Sequence, residues 1–140
     1  MSGIENVDVV VLAGGLGTRL RSVVSDRPKV LALVQGKPFL DHLLERFFAQ
    51  GAQRIILCVG YLRDQIAEYL AARAAEDARF ANVVCSEEIE PLGTGGALAN
   101  AESLIGSEHF FVANGDTLSA IDLNALYDFH SARGAMISLA

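Results

Sequence analysis

Short apolar runs alternate with amphipathic stretches along this chain of 140 residues. The first run, residues 7–12, is rich in valine, which is typical of a strand buried on both faces of a parallel sheet. Residues 39–50 instead repeat their apolar positions at helical spacing, and Gly51 follows as a helix end. The same periods recur along the rest of the chain. They predict strands near residues 7–12, 54–59, 82–86, 109–113 and 135–140, separated by helices near 39–50, 62–75, 95–105 and 122–132.

The alternation of strands and helices indicates an α/β fold with a Rossmann-like parallel sheet and helices on both of its faces. The length and the hydrophobic content of 51% fit one domain with a substantial core. The chain ends inside the last predicted strand, residues 135–140, so no later element completes the sheet. We therefore expect a chain that is truncated at its C-terminus.

Charge and composition narrow the class of partner. A net charge of -6 argues against a general nucleic-acid binder, which needs a basic face to displace counterions. The chain has no signal-peptide pattern and no apolar stretch near the about 20 residues that span a bilayer, so we expect no membrane contact and a cytoplasmic location. Cys58 and Cys85 lie in β-like runs without CxxC spacing, which predicts buried free thiols.

The first strand runs directly into a glycine cluster, Gly14, Gly15 and Gly17, with Arg19 just beyond it. Because glycine has no Cβ, the backbone can turn sharply there and bring its N–H groups close to a ligand, and the arginine adds positive charge. These features predict a phosphate-binding loop. It is not a P-loop, because no Lys-Ser or Lys-Thr follows the glycines, and the dinucleotide pattern G-x-G-x-x-G lacks its third glycine.

Four segments in order carry a resemblance to a known family. LAGGLGTRLRSVVSDRPKVLALVQGKPFL occupies residues 12–40, and it is followed by VGYLRDQIAEYL at 59–70, EEIEPLGTGGALANA at 87–101 and VANGDTLSAIDL at 112–123. Together they resemble the sugar-1-phosphate nucleotidyltransferases over nearly the whole chain. Within that family, the PLGTGGA, NGDT and I-D-L sequences are most similar to the D-glycero-D-manno-heptose 1-phosphate guanylyltransferase branch.

The resemblance implies a fold of the nucleotide-diphospho-sugar transferase type with strand order 3-2-1-4-5, of which residues 1–140 form the nucleotide-binding portion. It implies transfer of a nucleotidyl group, with GMP from GTP favoured, to a sugar 1-phosphate, with D-glycero-D-manno-heptose 1-phosphate favoured, and release of pyrophosphate in a polysaccharide or cell-envelope pathway. Mg²⁺ or Mn²⁺ is the expected cofactor, because both substrates are anions. Two alternatives stay open: uridylyl or thymidylyl transfer to another sugar 1-phosphate, and a non-catalytic regulatory domain that binds a nucleotide or sugar nucleotide.

The resemblance also assigns catalytic roles to three residues. Arg19 would pair with the β- and γ-phosphates, and Lys29 would stabilise the transition state at the α-phosphate. Asp116 is the predicted metal ligand, because Mg²⁺ prefers carboxylate oxygen. Val30 and Leu33 stand where family members often have proline, so the segment that presents Lys29 is expected to be less constrained.

Nucleotide binding is assigned to the glycine loop and to the EEIEPLGTGG segment. Glu88 stands where relatives that bind thymine or uracil have glutamine, and its carboxylate can accept from both N1–H and the 2-amino group of guanine. Family members are longer, and their later region contacts the sugar and supplies a second metal-binding aspartate. The residues predicted to bind the nucleotide are Leu12, Ala13, Gly14, Gly15, Gly17, Thr18, Glu88, Gly93 and Thr94.

Overall fold

A parallel sheet of four strands forms the centre of the protein. The structure is a computed structural model, and it describes residues 3–14 and 27–140. Across the sheet the order is β5-β4-β1-β6, so the predicted order 3-2-1-4 of the first four parallel strands is confirmed. The strands, numbered along the chain, are β1 (Asp8–Leu12), β2 (Leu33–Val34), β3 (Lys37–Pro38), β4 (Ile55–Val59), β5 (Val83–Glu87) and β6 (Phe110–Asn114).

Helices alternate with the parallel strands along the chain, and in the described ranges they lie where the sequence predicts them. They are α1 (Phe39–Ala49), α2 (Arg63–Glu76), α3 (Gly93–Ala101) and α4 (Leu123–Arg133). The third is shorter than predicted, because the chain continues from it as a 3-10 turn, Glu102–Leu104. None of the helices in the described ranges has both the length and the apolar character that a membrane crossing requires.

Alternate residues of the buried strands supply two cores, one on each face of the sheet. Val9 and Val11 of β1 pack on the side of α1 and α2, where Leu44 is fully buried. Val10 packs on the opposite side with Ala101 of α3. Since successive strand residues point to opposite faces, a strand covered on both sides is apolar at nearly every position. This explains the uninterrupted apolar run from Val9 to Leu12.

The predicted fifth strand at residues 135–140 is wrong, so the order 3-2-1-4-5 is corrected to 3-2-1-4 for the described chain. Gly134 adopts a φ of 56° and ends α4, and the following residues run back along that helix. Ser138 Oγ is hydrogen-bonded to His130 Nδ1 at 2.9 Å. A strand exists only where its backbone meets a neighbouring strand, and the local sequence cannot show whether that contact is made.

The hairpin formed by β2 and β3 was not predicted. Gln35 and Gly36 make its turn, with φ values of 53° and 78°. Strands of two residues are too short for their alternation of polar and apolar positions to be recognised in a sequence. Leu33, at one of the two positions where family members often have proline, lies in this hairpin and is 58% exposed.

Asp8 is a buried carboxylate that ties together the beginnings of three neighbouring strands. Its Oδ2 accepts from Arg54 Nη1 at 3.0 Å, from Gly106 N at 2.7 Å and from Ser107 N at 3.2 Å. Its own N–H donates to Ser107 Oγ at 3.0 Å. Arg54 precedes β4, whereas Gly106 and Ser107 precede β6. The buried charge is therefore paired and hydrogen-bonded, as burial of a charge requires.

Replacing Asp8 with alanine is expected to lower the free energy of unfolding by about 3 kcal/mol, because a guanidinium and two backbone N–H groups lose their acceptor. Urea denaturation followed by circular dichroism measures this loss. Asp77→Ala is the matched control, because Asp77 forms its ion pair with Arg79 at the surface and is expected to cost far less. Equal losses in the two variants would contradict the role given to Asp8.

Candidate functional site

The carboxyl ends of the parallel strands form one edge of the sheet, and five of the predicted site residues lie there. Leu12, Ala13 and Gly14 end or follow β1, Glu88 follows β5, and Asp116 follows β6. The strand order reverses at β1, because the chain fills one side of this strand with β4 and β5 and then crosses to the other side with β6. Ligands of open parallel sheets bind outside the carboxyl ends of the strands at such a reversal.

The backbones of β1 and β6 approach each other closely at Gly115. The Gly115 N–H donates to Leu12 O at 2.9 Å. A Cβ atom on Gly115 would lie 2.9 Å from Leu12 O and 3.3 Å from Ala13 Cα, so no side chain fits here without movement of the backbone. The approach brings Asp116, the next residue, beside the chain that leaves β1.

Lys29 and Asp116 are in direct contact, although 87 positions separate them in sequence. Lys29 Nζ donates to Asp116 Oδ2 at 3.0 Å. Lys29 begins a 3-10 turn, Lys29–Leu31, in which Val30 is 4% exposed and belongs to the core. Val30 is one of the two positions that depart from the family pattern. Packing of its side chain therefore anchors the segment in the absence of proline.

The Asp116 carboxylate is half-exposed and has two side-chain donors. Thr117 Oγ1 donates to Asp116 Oδ1 at 3.0 Å, in addition to the bond from Lys29. The hydrogen bond from Lys29 and then that from Thr117 lower the pKa of Asp116 below its usual value. The carboxylate is therefore ionised at neutral pH, and its charge is balanced by an ammonium group on a flexible stem.

Glu88 is buried, with 6% of its surface exposed, and its N–H donates to Val59 O at 2.7 Å. A Cβ atom on Gly14 would lie 3.0 Å from Glu88 Oε1, so glycine at position 14 leaves room for this carboxylate. A Cβ atom on Gly60 would lie 3.3 Å from Gly14 O, so the backbone is close here as well. No side chain or backbone group in the described ranges donates a hydrogen bond to the Glu88 carboxylate.

The thiol of Cys58, which feels the charge of Glu88, has a raised pKa. Burial, and after it the charge of Glu88, raises the pKa of Cys58 to about 11. Burial also raises the pKa of Cys85, which is half-buried. Both thiols are free, as predicted, but burial is confirmed only for Cys58; both thiols stay protonated at neutral pH. Neither is available there as a thiolate nucleophile.

Two further predicted residues lie at the beginning of a helix. Gly93 and Thr94 form the start of α3, and both are exposed. The φ of 71° at Gly93 favours glycine at the point where the chain enters this helix. Four further predicted residues of the glycine loop lie outside the described ranges: Gly15, Gly17, Thr18 and Arg19.

Several residues that shape this edge were not singled out from the sequence. Gly60 and Gly115 each follow a parallel strand directly, and that position is the signal by which they could have been found. Asn100 Nδ2 donates to Ser86 Oγ at 3.2 Å and to Glu87 O at 2.9 Å. These bonds join α3 to the end of β5. No local sequence pattern predicts these hydrogen bonds of Asn100, because they form only when α3 packs on the sheet.

Comparison with known protein families decides the class of the protein. The family described as "Nucleotidyl transferase" matches residues 8–140, which is almost the whole chain. This chain belongs to the nucleotidyl transferase family. The resemblance drawn from the four sequence segments is thereby confirmed.

This member of the family has longer curated relatives. It is 38% identical over 134 residues to D-glycero-alpha-D-manno-heptose 1-phosphate guanylyltransferase of Aneurinibacillus thermoaerophilus, which covers 96% of the chain and 56% of that protein. It is 39% identical over 109 residues to N-acetylmuramate alpha-1-phosphate uridylyltransferase of Caulobacter vibrioides, covering 78% of the chain and 45% of that protein. The chain thus spans about half the length of these relatives.

A solved structure has the same fold as this chain. HddC from Yersinia pseudotuberculosis, in a crystal structure complexed with GMP-PN, aligns with a TM-score of 0.73 and 44% sequence identity. The alignment covers 89% of this chain and 54% of the HddC chain. Apart from the fifth strand, the predicted α/β fold of the nucleotide-diphospho-sugar transferase type is confirmed.

Gly115→Ala is expected to lower the free energy of unfolding by about 1–3 kcal/mol, because the added methyl group must push the backbones of β1 and β6 apart. Gly95→Ala is the control, since a Cβ atom there meets open space and alanine favours the helix by about 0.5–1 kcal/mol. Urea denaturation of both variants measures the difference. A Gly115→Ala variant as stable as the control would disprove the tight approach.

Lys29→Met is expected to raise the pKa of Asp116 toward its usual value, because the largest contribution to its lowering is removed. A lowered folded-state pKa stabilises the fold above the unfolded-state pKa, and this stabilisation is lost as pH falls through the folded-state pKa. In the Lys29→Met variant, the free energy of unfolding should therefore depend less on pH in the acidic range. Carbon-13 NMR titration of the Asp116 carboxyl group measures the pKa.

Lys37→Met is the control for this titration. Lys37 forms a similar ion pair, with Nζ at 2.6 Å from Glu45 Oε2, but its partner lies on α1 rather than at the strand edge. This variant should leave the pKa of Asp116 unchanged. An unchanged pKa in Lys29→Met as well would show that the Lys29–Asp116 contact does not persist in solution.

Proposed function

We propose that this chain forms the nucleotide-binding part of an enzyme that transfers GMP from GTP to a sugar 1-phosphate and releases pyrophosphate. The favoured acceptor is D-glycero-D-manno-heptose 1-phosphate, because a relative covering 96% of the chain carries that name. The observation that carries the proposal is the buried Glu88 carboxylate, which has no donor among the described residues and lies against Gly14. Lys29 and Asp116 lie at the same edge of the sheet.

Guanine offers the donors that Glu88 needs. Its N1–H and 2-amino groups lie side by side, and both can donate to one carboxylate. Uracil offers a single N–H on the corresponding edge, so one oxygen of the buried carboxylate would stay without a donor. A buried polar group that loses its partner costs about 1–3 kcal/mol, which is enough to discriminate between bases. The GMP-PN in the HddC structure agrees with this preference.

Asp116 is proposed to hold Mg²⁺ or Mn²⁺ together with the phosphates of the nucleotide. Mg²⁺ usually keeps several waters and takes one or two carboxylates plus substrate phosphates, rather than an all-protein cage. A single half-exposed carboxylate fits that mode, and the described ranges contain no cluster of three or more His, Cys, Asp or Glu side chains suited to a metal. A bound ion would neutralise negative charge between the two anionic substrates.

Lys29 is proposed to exchange its carboxylate partner for the α-phosphate. Its side chain is 36% exposed, and the flexible stem allows the ammonium group to move away from Asp116. At the α-phosphate it stabilises developing charge while an oxygen of the sugar 1-phosphate attacks the phosphorus and the bond to pyrophosphate breaks. The reaction needs no protein nucleophile, in keeping with the protonated Cys58 thiol. The β- and γ-phosphates are assigned to the predicted loop residues Gly15, Gly17, Thr18 and Arg19.

The predicted contacts of Gly93 and Thr94 with the nucleotide are part of the same proposal. The first turn of an α-helix has N–H groups without partners inside the helix, and such groups suit a phosphate or a polar edge of a base. Because nucleoside triphosphates are supplied in the cytoplasm, we place the reaction there.

Uridylyl transfer is the second candidate. It is favoured by the relative from Caulobacter vibrioides, which is named as a uridylyltransferase and is 39% identical over 109 residues. A non-catalytic regulatory domain is less well supported, because the chain retains Lys29 and Asp116 in contact. Base preference and metal dependence separate the three functions.

Binding of GTP, ITP, UTP, dTTP and CTP in the presence of Mg²⁺, measured by calorimetry, tests the proposal. GTP is expected to bind at least about tenfold more tightly than UTP, a difference of 1.4 kcal/mol. ITP lacks the 2-amino group and should fall between them. Glu88→Gln should remove most of the preference for GTP, because an amide can accept through only one of its two terminal atoms.

Asp116→Asn tests the metal site in the same experiment. It should abolish the dependence of GTP binding on Mg²⁺, whereas Asp122→Asn should not. Asp122 caps the first turn of α4 through Ala125 N, a task that asparagine performs equally well. Tight UTP binding would overturn the assignment of guanine to Glu88. A folded chain that binds none of the five nucleotides would overturn the nucleotide-binding role itself.

A further inference from the structure

Asn100 of α3 ties the helix to the backbone just before Glu88. Both hydrogen atoms of its amide are used, because Nδ2 donates to Glu87 O at 2.9 Å and to Ser86 Oγ at 3.2 Å. Ser86 is 4% exposed, so the second of these acceptors is buried in the protein. An exposed helix residue thus holds the last two positions of β5.

The peptide group between Glu87 and Glu88 is hydrogen-bonded on both of its sides. On the side of β4, the Glu88 N–H donates to Val59 O at 2.7 Å. On the side of α3, the carbonyl of Glu87 belongs to the same peptide group as that N–H, and it accepts from Asn100. A single peptide unit is therefore held from both neighbouring elements. The next residue along the chain after Glu88 is Ile89, which is 94% exposed.

The position of this peptide unit matters, because the Glu88 carboxylate has little room. A Cβ atom added to Gly14 would lie 3.0 Å from Glu88 Oε1, closer than ordinary van der Waals contact, so the carboxylate has no spare room on that side. Polar recognition depends on donor and acceptor positions held to within a fraction of an ångström, and residues outside the ligand contact supply that precision. Rotation of the peptide between Glu87 and Glu88 would move the carboxylate directly.

We propose that Asn100 is a positioning residue for base selection: it fixes the peptide group between Glu87 and Glu88, so that the buried carboxylate presents both oxygens to N1–H and the 2-amino group of guanine. This inference rests on the proposed function of Glu88 and extends it to a residue that does not touch the base. Loss of the Asn100 amide reduces the preference for guanine while the phosphate end of the site, with Lys29 and Asp116, stays as it is.

A purely structural role for Asn100 makes a different prediction, and the chain contains a matched control for it. Asn124 of α4 makes the same kind of bond, with Nδ2 donating to Gln50 O at 2.9 Å. This bond also ties a helix to the end of another element, but it lies at the end of α1, away from Glu88. Asn124→Ala therefore removes a comparable amount of stability without reaching the site.

The test compares the ratio of the dissociation constants for UTP and GTP in Asn100→Ala, Asn100→Asp and Asn124→Ala, measured by calorimetry with Mg²⁺. Asn100→Asp keeps the size of the side chain but loses both donors, so it also serves if the alanine variant unfolds. We expect the ratio to fall at least about fivefold in both Asn100 variants, the effect of one hydrogen bond, and to stay within about twofold in Asn124→Ala.

The double variant Glu88→Gln/Asn100→Ala separates positioning from general loosening. If Asn100 acts through Glu88, the double variant should select GTP no worse than Glu88→Gln alone. Once the Glu88 carboxylate is gone, loss of the Asn100 amide has no further effect on base preference, so the two losses are not additive. Fully additive losses would overturn the inference.

The failure of the inference can be told apart from the failure of the proposed function. If wild-type chain prefers GTP and Glu88→Gln abolishes that preference, but the Asn100 variants behave as Asn124→Ala does, then Asn100 is only structural and the function proposed for Glu88 stands. If wild-type chain shows no preference for GTP, both are overturned. A drop in the ratio that occurs in Asn124→Ala as well would also overturn the role of Asn100.

Discussion

Parallel pairing of β1 with β6 is the constraint on which the rest of the site depends. Backbone hydrogen bonds align Asp8 with Phe110 at one end and Leu12 with Asn114 at the other. The buried Asp8 carboxylate fastens the first end, and the close approach of Gly115 to Leu12 fastens the second. With both ends fixed, the residue after Gly115 has one position relative to the chain that leaves β1. The sheet, rather than a loop, therefore places Asp116.

Three carboxylates in this chain differ in their surroundings, and the surroundings indicate which of them is satisfied within the protein. Asp8 is buried and surrounded by donors, so its charge is neutralised by groups of the protein itself. Asp116 is half-exposed and paired with Lys29, whose flexible side chain is itself 36% exposed. Glu88 is buried against Gly14 without a donor among the described residues. A largely buried acceptor without an internal donor is the kind of group that a ligand donor can satisfy, which is why Glu88 carries the proposal about base binding.

Two residues that carry no charge hold the charged residues of this edge in place. Val30 packs the turn of Lys29 into the core where related chains often have proline, and Asn100 joins α3 to the peptide group before Glu88. Neither residue carries chemistry of its own. Each holds one segment on the sheet, and that packing determines where a charged side chain lies. Substitutions at such positions can change the geometry of a site without changing its charged residues.

The sequence by itself determined the α/β class, the order of the first four parallel strands and the family, because buried strands, amphipathic helices and glycine loops leave signals within short windows. It also indicated Lys29, Glu88 and Asp116 as candidates through their motifs. Only the tertiary structure decided that Lys29 and Asp116 touch, that Glu88 is buried without a donor, and that residues 135–140 form no strand. Those facts depend on contacts between distant segments, and a local pattern contains no information about which neighbour a group will meet.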